Sequence, residues 1–191
     1  MTNFVLVMDK RTIIGIDPGT NLLGFGVIDV VDRKPVFVDM GVLDLRHEKD
    51  PYVKLRQIYD TVSEVCKTYH GTEMALESPF YGKNAQVILK LGRAQGSAMI
   101  AAMEQGISVV REYAPREAKQ AITGNGAASK EQVEMMIRKT LGVELKSEHL
   151  DATDALAIAL CHYYSTSSPL SGARSSSSWE SFVKANPDRV K

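Results

Sequence analysis

The stretch that decides the fold is Thr12-Ile13-Ile14-Gly15-Ile16-Asp17-Pro18-Gly19-Thr20, near the start of the 191-residue chain. Its β-branched apolar half stops at a Pro-Gly pair, and a second apolar run, which carries two glycines, covers residues 22–31. Two such runs separated by turn residues predict a β-hairpin. Proline and glycine at the two central positions predict a type II turn, so we expect the carboxylate of Asp17 at the rim of the sheet.

A third strand is predicted from Pro35 to Leu45, because apolar side chains alternate there with others at a period of two. Helical spacing and β-branched composition then predict a helix over 52–69, a strand over 74–77, a helix over 84–105, a strand over 107–111, and helices over 115–122, 129–141 and 150–164. We expect Ser129 to cap the second of these last three helices, and the third to be amphipathic. The order βββαβαβ followed by helices predicts an α/β fold, in which helices flank a mixed five-stranded sheet.

The two ends of the chain differ in composition from its middle. Residues 1–10 form a predicted N-terminal extension, in which Phe4-Val5-Leu6-Val7 either adds an edge strand or stays unpaired. Residues 165–191 form a predicted tail, and nine serines between 165 and 181 favour disorder there. The predicted domain therefore covers residues 11–164.

The charges balance over the whole chain but not along it. Residues 81–130 carry 7 Lys and Arg against 3 Asp and Glu, although the totals are 23 and 23. A basic middle between acidic flanks suits an enzyme that holds phosphates on one surface and gathers carboxylates elsewhere. Uneven surface charge without function is the other explanation, and charge alone leaves it open.

Cysteine usage and hydropathy bear on the compartment. Cys66 and Cys161 lie far apart and lack the spacing of a zinc site or a disulfide framework. The apolar stretches are too short to span a bilayer, and the N-terminus lacks a signal-peptide pattern. We therefore expect a soluble protein in the reducing cytoplasm.

Four acidic residues stand at the ends of predicted elements. Asp17 and Glu77 each end a strand and precede a proline-containing turn, while Asp151 and Asp154 lie one turn apart at the start of the last helix. Each also has a structural explanation, as a turn residue or as an acid favoured in a first helical turn. If the four meet at one rim, their repulsion favours binding of cations, and Mg²⁺ prefers such oxygen ligands. Two ions about 4 Å apart can clamp a phosphodiester during hydrolysis by an activated water.

Four segments of this sequence resemble the RuvC family of Holliday-junction resolvases. They are Ile14-Gly15-Ile16-Asp17-Pro18-Gly19-Thr20, Glu77-Ser78-Pro79-Phe80-Tyr81-Gly82-Lys83-Asn84, Leu91-Gly92-Arg93-Ala94-Gln95-Gly96 and Asp151-Ala152-Thr153-Asp154-Ala155-Leu156-Ala157. The resemblance covers about residues 11–164 in unbroken order. Four motifs in order are far more specific than the first motif alone.

The resemblance implies an RNase H-like fold, a homodimer, and paired symmetric incisions across a four-way DNA junction in recombination and repair. It implies dependence on Mg²⁺, with two ions per site and Mn²⁺ as a substitute, and cooperation with the RuvA and RuvB branch-migration proteins. It assigns Asp17, Glu77, Asp151 and Asp154 to the metal site. It also assigns DNA contacts to Phe80, Lys83, Asn84, Lys119 and Lys130, with Phe80 as a wedge and the last two lysines beside the scissile phosphate.

The residues themselves support these further roles less specifically. Phe80 follows a strand end and a proline, where its ring either stacks on an unpaired base or anchors the loop in the core. Lys119 and Lys130 flank the predicted loop at 124–126, which is able to close over a phosphate. Gly92 and Gly96 lie one turn apart on the long helix, where they allow either a second copy or the protein's own sheet to approach closely.

Three other functions share parts of this pattern. ATP-dependent phosphotransferases of the actin and sugar-kinase type also carry Asp-x-Gly-Thr on a hairpin, but they need two such domains. A DNA-binding module without activity has no reason to gather four acids near a polyanion. Another RNase H-like nuclease that cuts RNA–DNA hybrids is the closest alternative.

Overall fold

The computed structural model describes residues 10–78, 84–144 and 150–167. In chain order the elements are β1 (Arg11–Asp17), β2 (Leu22–Val31), β3 (Lys34–Asp44), α1 (Pro51–Tyr69), β4 (Glu73–Glu77), α2 (Ala85–Glu104), β5 (Val109–Tyr113), α3 (Pro115–Thr123), α4 (Lys130–Leu141) and α5 (Leu150–Ser167). Residues 4–7, for which the sequence leaves both an edge strand and an unpaired segment open, lie outside the described residues, as does the predicted tail from residue 168 onward.

The five strands form one mixed sheet in the order β3-β2-β1-β4-β5. The first three strands pair antiparallel, whereas β4 pairs parallel to β1 and β5 pairs parallel to β4. The predicted fold class is therefore confirmed. The predicted fifth strand is shifted, because β5 starts at Val109 opposite Glu73, while Ile107 is buried as an apolar anchor just before it.

Helices cover both faces of the sheet because residues on β1 alternate between two apolar clusters. Ile14 and Ile16 pack with α1 and α2 on one face, whereas Ile13 packs with α4 and α5 on the other. Asp17 follows Ile13 and Gly15 at a spacing of two, so it belongs to the face that carries α5.

Helix α5 differs from its prediction in two ways. Its side chains from Ala155 to Tyr163 are all buried, so the predicted amphipathic pattern is wrong. The helix lies between the sheet on one side and α3 and α4 on the other, and therefore has almost no solvent-facing side. It also continues to Ser167, three residues beyond its predicted end at Tyr164.

Two glycines bring α5 into backbone contact with the sheet. A Cβ on Gly15 would lie 2.1 Å from the carbonyl oxygen of Ala155, and one on Gly24 would lie 2.0 Å from that of Asp151. No side chain fits in either place. Glycine at these positions in β1 and β2 therefore fixes how closely the N-terminal end of α5 approaches Asp17.

The turn after β1 is not of type II. Such a turn requires a positive φ at Gly19, and Gly19 is absent from the residues that have one. A Cβ there would instead lie 1.8 Å from the carbonyl oxygen of Leu22. Glycine is needed because the chain folds back tightly against it.

A partly buried polar network links α5 to the start of β4 and to the end of β5. Glu73, at the start of β4, pairs with Arg11 and contacts Nε2 of His162 at 2.6 Å. The other ring nitrogen of His162 lies 2.8 Å from the hydroxyl of Tyr113. Burial alone raises the pKa of Glu73, but hydrogen bonds from His162 and Arg11 outweigh it and lower that pKa to about 2.

Candidate active site

The carboxylates of interest meet at the rim where β1 and β4 end. These two strands run parallel, and Ile16 pairs with Leu76, so Asp17 and Glu77 follow at neighbouring positions. Asp17 also pairs with Gly24 on β2, which lies against the backbone of Asp151. The sheet register and the close approach of α5 thus bring three separate segments of the chain to one place.

The pKa of Asp17 shows that these groups share one electrostatic environment. Burial raises it most, and the negative charges of Glu77, Asp154 and Asp151 raise it further, to about 7. The pKa of Glu77 is also raised, first by burial and then by the charge of Asp154. The acidic residues that the sequence singles out therefore lie close enough to repel one another.

Two lysines face the same acids. Nζ of Lys130, at the start of α4, donates a hydrogen bond of 2.7 Å to Oδ2 of Asp154, which raises the lysine's pKa. Lys119 on α3 lowers the pKa of Glu77 together with Lys130. Both lysines line one cleft of about 180 Å³ with Glu77 and Asp154. The structure therefore brings the two predicted lysines to the carboxylates.

The donor set suits a hard divalent cation, although the described side chains do not form a finished metal site. In residues 10–78, 84–144 and 150–167, no three His, Cys, Asp or Glu side chains are grouped tightly enough to hold a metal ion. Asp154 is engaged by Lys130, and the partly buried, mutually repelling Asp17 and Glu77 have raised pKa values. Positive charge among these oxygens would relieve that repulsion.

The remaining predicted DNA contacts divide into two groups. Asn84 is exposed, but its side-chain oxygen caps α2 by accepting hydrogen bonds from the amides of Gln86 and Val87. Phe80 and Lys83 lie outside the described residues.

The glycines of α2 face away from the rest of the chain. A Cβ on Gly92 or Gly96 would meet no atom within 4 Å, so the alternative that they allow close packing on the protein's own sheet is wrong. Ala94 and Ala98 make that contact instead. The outward face also carries Leu89, Ile100 and Met103, which are 56%, 55% and 63% exposed.

Sequence reasoning missed a second, cationic cleft. It lies between the end of β1, the start of α1 and the middle of α2, and its charged lining residues are Lys49, Lys54, Lys90 and Arg93. Lys90 and Arg93 belong to the basic middle of the chain, but Lys49 and Lys54 do not. Counting charges along the sequence therefore does not predict that these four basic residues line one cleft.

The sheet order and the acidic rim together place the protein in the RNase H-like class that the sequence resemblance implied. A family model described as "Crossover junction endodeoxyribonuclease RuvC" matches residues 13–162. The chain belongs to the RuvC family, as predicted.

Individual relatives agree with this assignment. The chain is 46% identical over 186 residues to crossover junction endodeoxyribonuclease RuvC of Christiangramia forsetii, covering 97% of this chain and 96% of that protein. It is also 46% identical to the RuvC of Porphyromonas gingivalis, covering 95% of this chain and 98% of that protein. Among solved structures, RuvC of T. thermophilus in complex with a Holliday junction substrate superimposes with a TM-score of 0.76 at 32% identity, over 82% of this chain and 95% of that one.

Both cysteines are buried and free, in agreement with the predicted absence of a disulfide. Burial raises the pKa of both thiols to about 12, so they are protonated and unreactive at neutral pH. Of the helices in the described ranges, none has the length and apolar character needed to cross a membrane.

Proposed function

We propose that this chain resolves four-way DNA junctions by paired, symmetric hydrolysis of phosphodiester bonds at the rim formed by Asp17, Glu77, Asp151 and Asp154. The observation that carries the proposal is geometric: the parallel register of β1 and β4 places Asp17 and Glu77 at neighbouring positions, and Gly24, which pairs with Asp17, lies against the backbone of Asp151. Family membership supports the choice of a DNA junction as substrate. It also favours a junction over the RNA–DNA hybrid that another RNase H-like nuclease would cut.

The four acids would hold divalent cations, two Mg²⁺ ions per site with Mn²⁺ as a possible substitute. Cations bound there would supply an acidified water and would offset the charge that develops on the phosphate. The protein's own part is to fix the oxygen ligands on two strand ends and one helix, so that little reorganisation is needed on binding. Asp17 is partly buried, which strengthens its interaction with any cation.

Lys119 and Lys130 would contribute positive charge toward the scissile phosphate. Lys130 pairs with Asp154, and its side chain is 65% exposed, so its ammonium group has room to move to a phosphate oxygen. Lys119 lines the same cleft. Two cations facing a bound phosphate stabilise the more negative transition state.

The direct test is incubation of the protein with a synthetic immobile junction and Mg²⁺. We expect two symmetric nicks in opposite strands, and little cleavage of an RNA–DNA hybrid of equal length.

Asp17→Asn should abolish cleavage while leaving junction binding largely intact, because it removes a metal ligand and keeps the size and shape of the side chain. Asp60→Asn is the matched control, since Asp60 pairs with Arg56 on the exposed side of α1. Normal cutting by Asp17→Asn, or preferred cutting of the hybrid, would refute the proposal.

We also propose that the protein acts as a homodimer joined through α2. Leu89, Gly92, Gly96, Ile100 and Met103 follow one another at spacings of three and four, so they lie on a single exposed face. The two glycines leave room for a second helix to approach closely. A two-fold axis there would present two identical sites to a substrate that is itself symmetric.

Further parts of the proposal rest on the family resemblance. Phe80 would wedge into the junction, and Lys83 and Asn84 would contact nearby DNA. The RuvA and RuvB branch-migration proteins would be partners, and the cytoplasm would be the site of action. Two buried thiols outside any disulfide are in keeping with a reducing compartment.

A further inference from the structure

The second cleft lies beside the turn that follows Asp17, on the side of the sheet where α1 and α2 pack. Its volume is about 170 Å³, and its walls come from the turn after β1, the start of α1 and the middle of α2. All four of its charged lining residues are cationic, and no carboxylate lines it. Tyr52 also lines it and is 73% exposed. A cleft with this lining attracts an anion.

The cations of this cleft are not neutralised within the described part of the chain. Ion pairs there involve other basic residues, and none includes Lys49, Lys54, Lys90 or Arg93. Nζ of Lys54 donates to two uncharged groups, the carbonyl oxygen of Thr20 at 2.9 Å and Oδ1 of Asn21 at 3.3 Å.

The acids nearest in sequence are engaged by the backbone. Asp50 caps α1 by accepting hydrogen bonds from the amides of Tyr52 and Val53, and Glu48 accepts one from the amide of Asp50. Neither carboxylate lines the cleft. The positive potential of the cleft therefore faces solvent.

The cleft begins close to the acidic rim. Thr20, which lines it, is three residues after Asp17, so the two Cα atoms are at most about 11 Å apart. Each strand of double-stranded DNA carries one phosphate per about 3.4 Å of helix axis. A duplex whose scissile phosphate sits at the carboxylates therefore has neighbouring phosphates within reach of the cleft.

We propose that Lys49, Lys54, Lys90 and Arg93 form a second phosphate-binding site, which holds the DNA backbone of a junction arm beside the cleavage point. Four cations, supplied by two helices and by the loop before the first of them, suit several phosphates of one polymer better than a single small anion. The site positions DNA and takes no part in the chemistry. This inference rests on the junction-cleaving function proposed above.

The test compares two double variants with equal loss of charge. Lys49→Gln/Lys90→Gln removes two cations of the cleft, and Lys67→Gln/Lys139→Gln removes two exposed lysines elsewhere. Lys67 lies 13 residues beyond Lys54 on the same helix, about 20 Å away. Arg93 stays unchanged because it adjoins the face proposed for the dimer, and Lys54 stays unchanged because it contacts the turn after Asp17.

Affinity for an immobile junction is measured in EDTA over a range of salt concentrations. Each phosphate contact contributes about 0.9 to the slope of log affinity against log salt, so the cleft variant should show a slope shallower by about two. The control variant should keep the wild-type slope. Single-turnover cleavage at saturating protein should stay within about twofold of wild type for the control variant.

The outcomes separate this inference from the proposed function. If the wild-type protein cuts junctions but the cleft variant binds with the slope and affinity of the control, the inference is overturned and the function stands. If the wild-type protein neither binds nor cuts junctions, the proposed function fails. Lys49→Arg/Lys90→Arg should restore the wild-type slope, and failure to do so in a variant with wild-type melting behaviour would also overturn the inference.

Discussion

Asp17 is the acid of the site whose pKa is shifted most clearly, by burial and by its neighbours. It is partly buried beside three other carboxylates, and its pKa is raised to about 7 from an ordinary value of 3.8. The folded protein therefore retains a proton on Asp17 between about pH 4 and pH 7, whereas the unfolded chain releases it. Stability contributed by this group is accordingly lost as the pH rises through that window.

Asp17→Asn should thus be more stable than wild type at pH 8 in EDTA, by on the order of 2 kcal/mol, and the difference should vanish toward pH 4. Urea denaturation at several pH values measures this, with Asp60→Asn as a control that follows wild type. Added Mg²⁺ should stabilise wild type but not Asp17→Asn. Identical pH dependence of the two proteins would show that Asp17 is not held among other charges.

The positions of the acids could be predicted from sequence because local signals mark the ends of elements. Prolines after Asp17 and Glu77 stop the strands, and Asp151 and Asp154 sit where a helix begins. The predicted type II turn is wrong because glycine is required at position 19 for a different reason. The backbone of Leu22 lies too close to Gly19 to leave room for a side chain, whereas a type II turn would require a positive φ. That contact is tertiary in origin and leaves no signature that separates it from a turn.

The glycines of β1 and β2 determine how closely α5 packs against the sheet. The sequence predicted the hairpin that contains them but not their purpose, since the atoms they avoid are about 130 or more residues away. The same limit explains α5 itself, which was expected to be amphipathic and is buried on every side. An amphipathic sequence pattern arises when one face of a helix is exposed to solvent. A helix that is enclosed by other elements has no such face, so its sequence lacks the pattern.

Gly15→Ala should destabilise the fold by about 3 kcal/mol or more, because its Cβ would overlap the backbone of α5 rather than a movable side chain. The shift of α5 should also reduce junction cleavage, since that helix carries Asp151 and Asp154. Gly41→Ala is the matched control, as its Cβ meets only the ring of Phe25, and we expect a change within about 1 kcal/mol. Chemical denaturation gives both values. Equal stability of the two variants would contradict this account of how α5 is placed.

At the scale of the whole molecule, one chain supplies one acidic rim, while a four-way junction requires two incisions. The exposed face of α2 offers a way to join two copies. The sequence shows that α2 carries small residues, but it does not show whether they face the sheet or the solvent. The structure answers that question, since Ala94 and Ala98 point inward and the glycines outward.

Ile100→Glu should convert the protein from dimer to monomer at micromolar concentration, because it places a charge in the centre of the proposed interface. Met135→Glu provides the control, since Met135 is 61% exposed on α4, away from that face. Sedimentation equilibrium distinguishes the two states. The monomeric variant should also nick the two strands of a junction independently. A dimer that persists in Ile100→Glu and dissociates in Met135→Glu would place the interface elsewhere.

Four acids from distant parts of the chain are proposed to hold divalent cations together. Calorimetric titration with Mn²⁺ tests this proposal most directly, on wild type, on the single variants Asp17→Asn, Glu77→Gln, Asp151→Asn and Asp154→Asn, and on Asp60→Asn. We predict that each of the four variants weakens Mn²⁺ binding about tenfold or more, while Asp60→Asn leaves it unchanged. Wild-type affinity for Mn²⁺ in all four variants would show that these acids do not hold the cation.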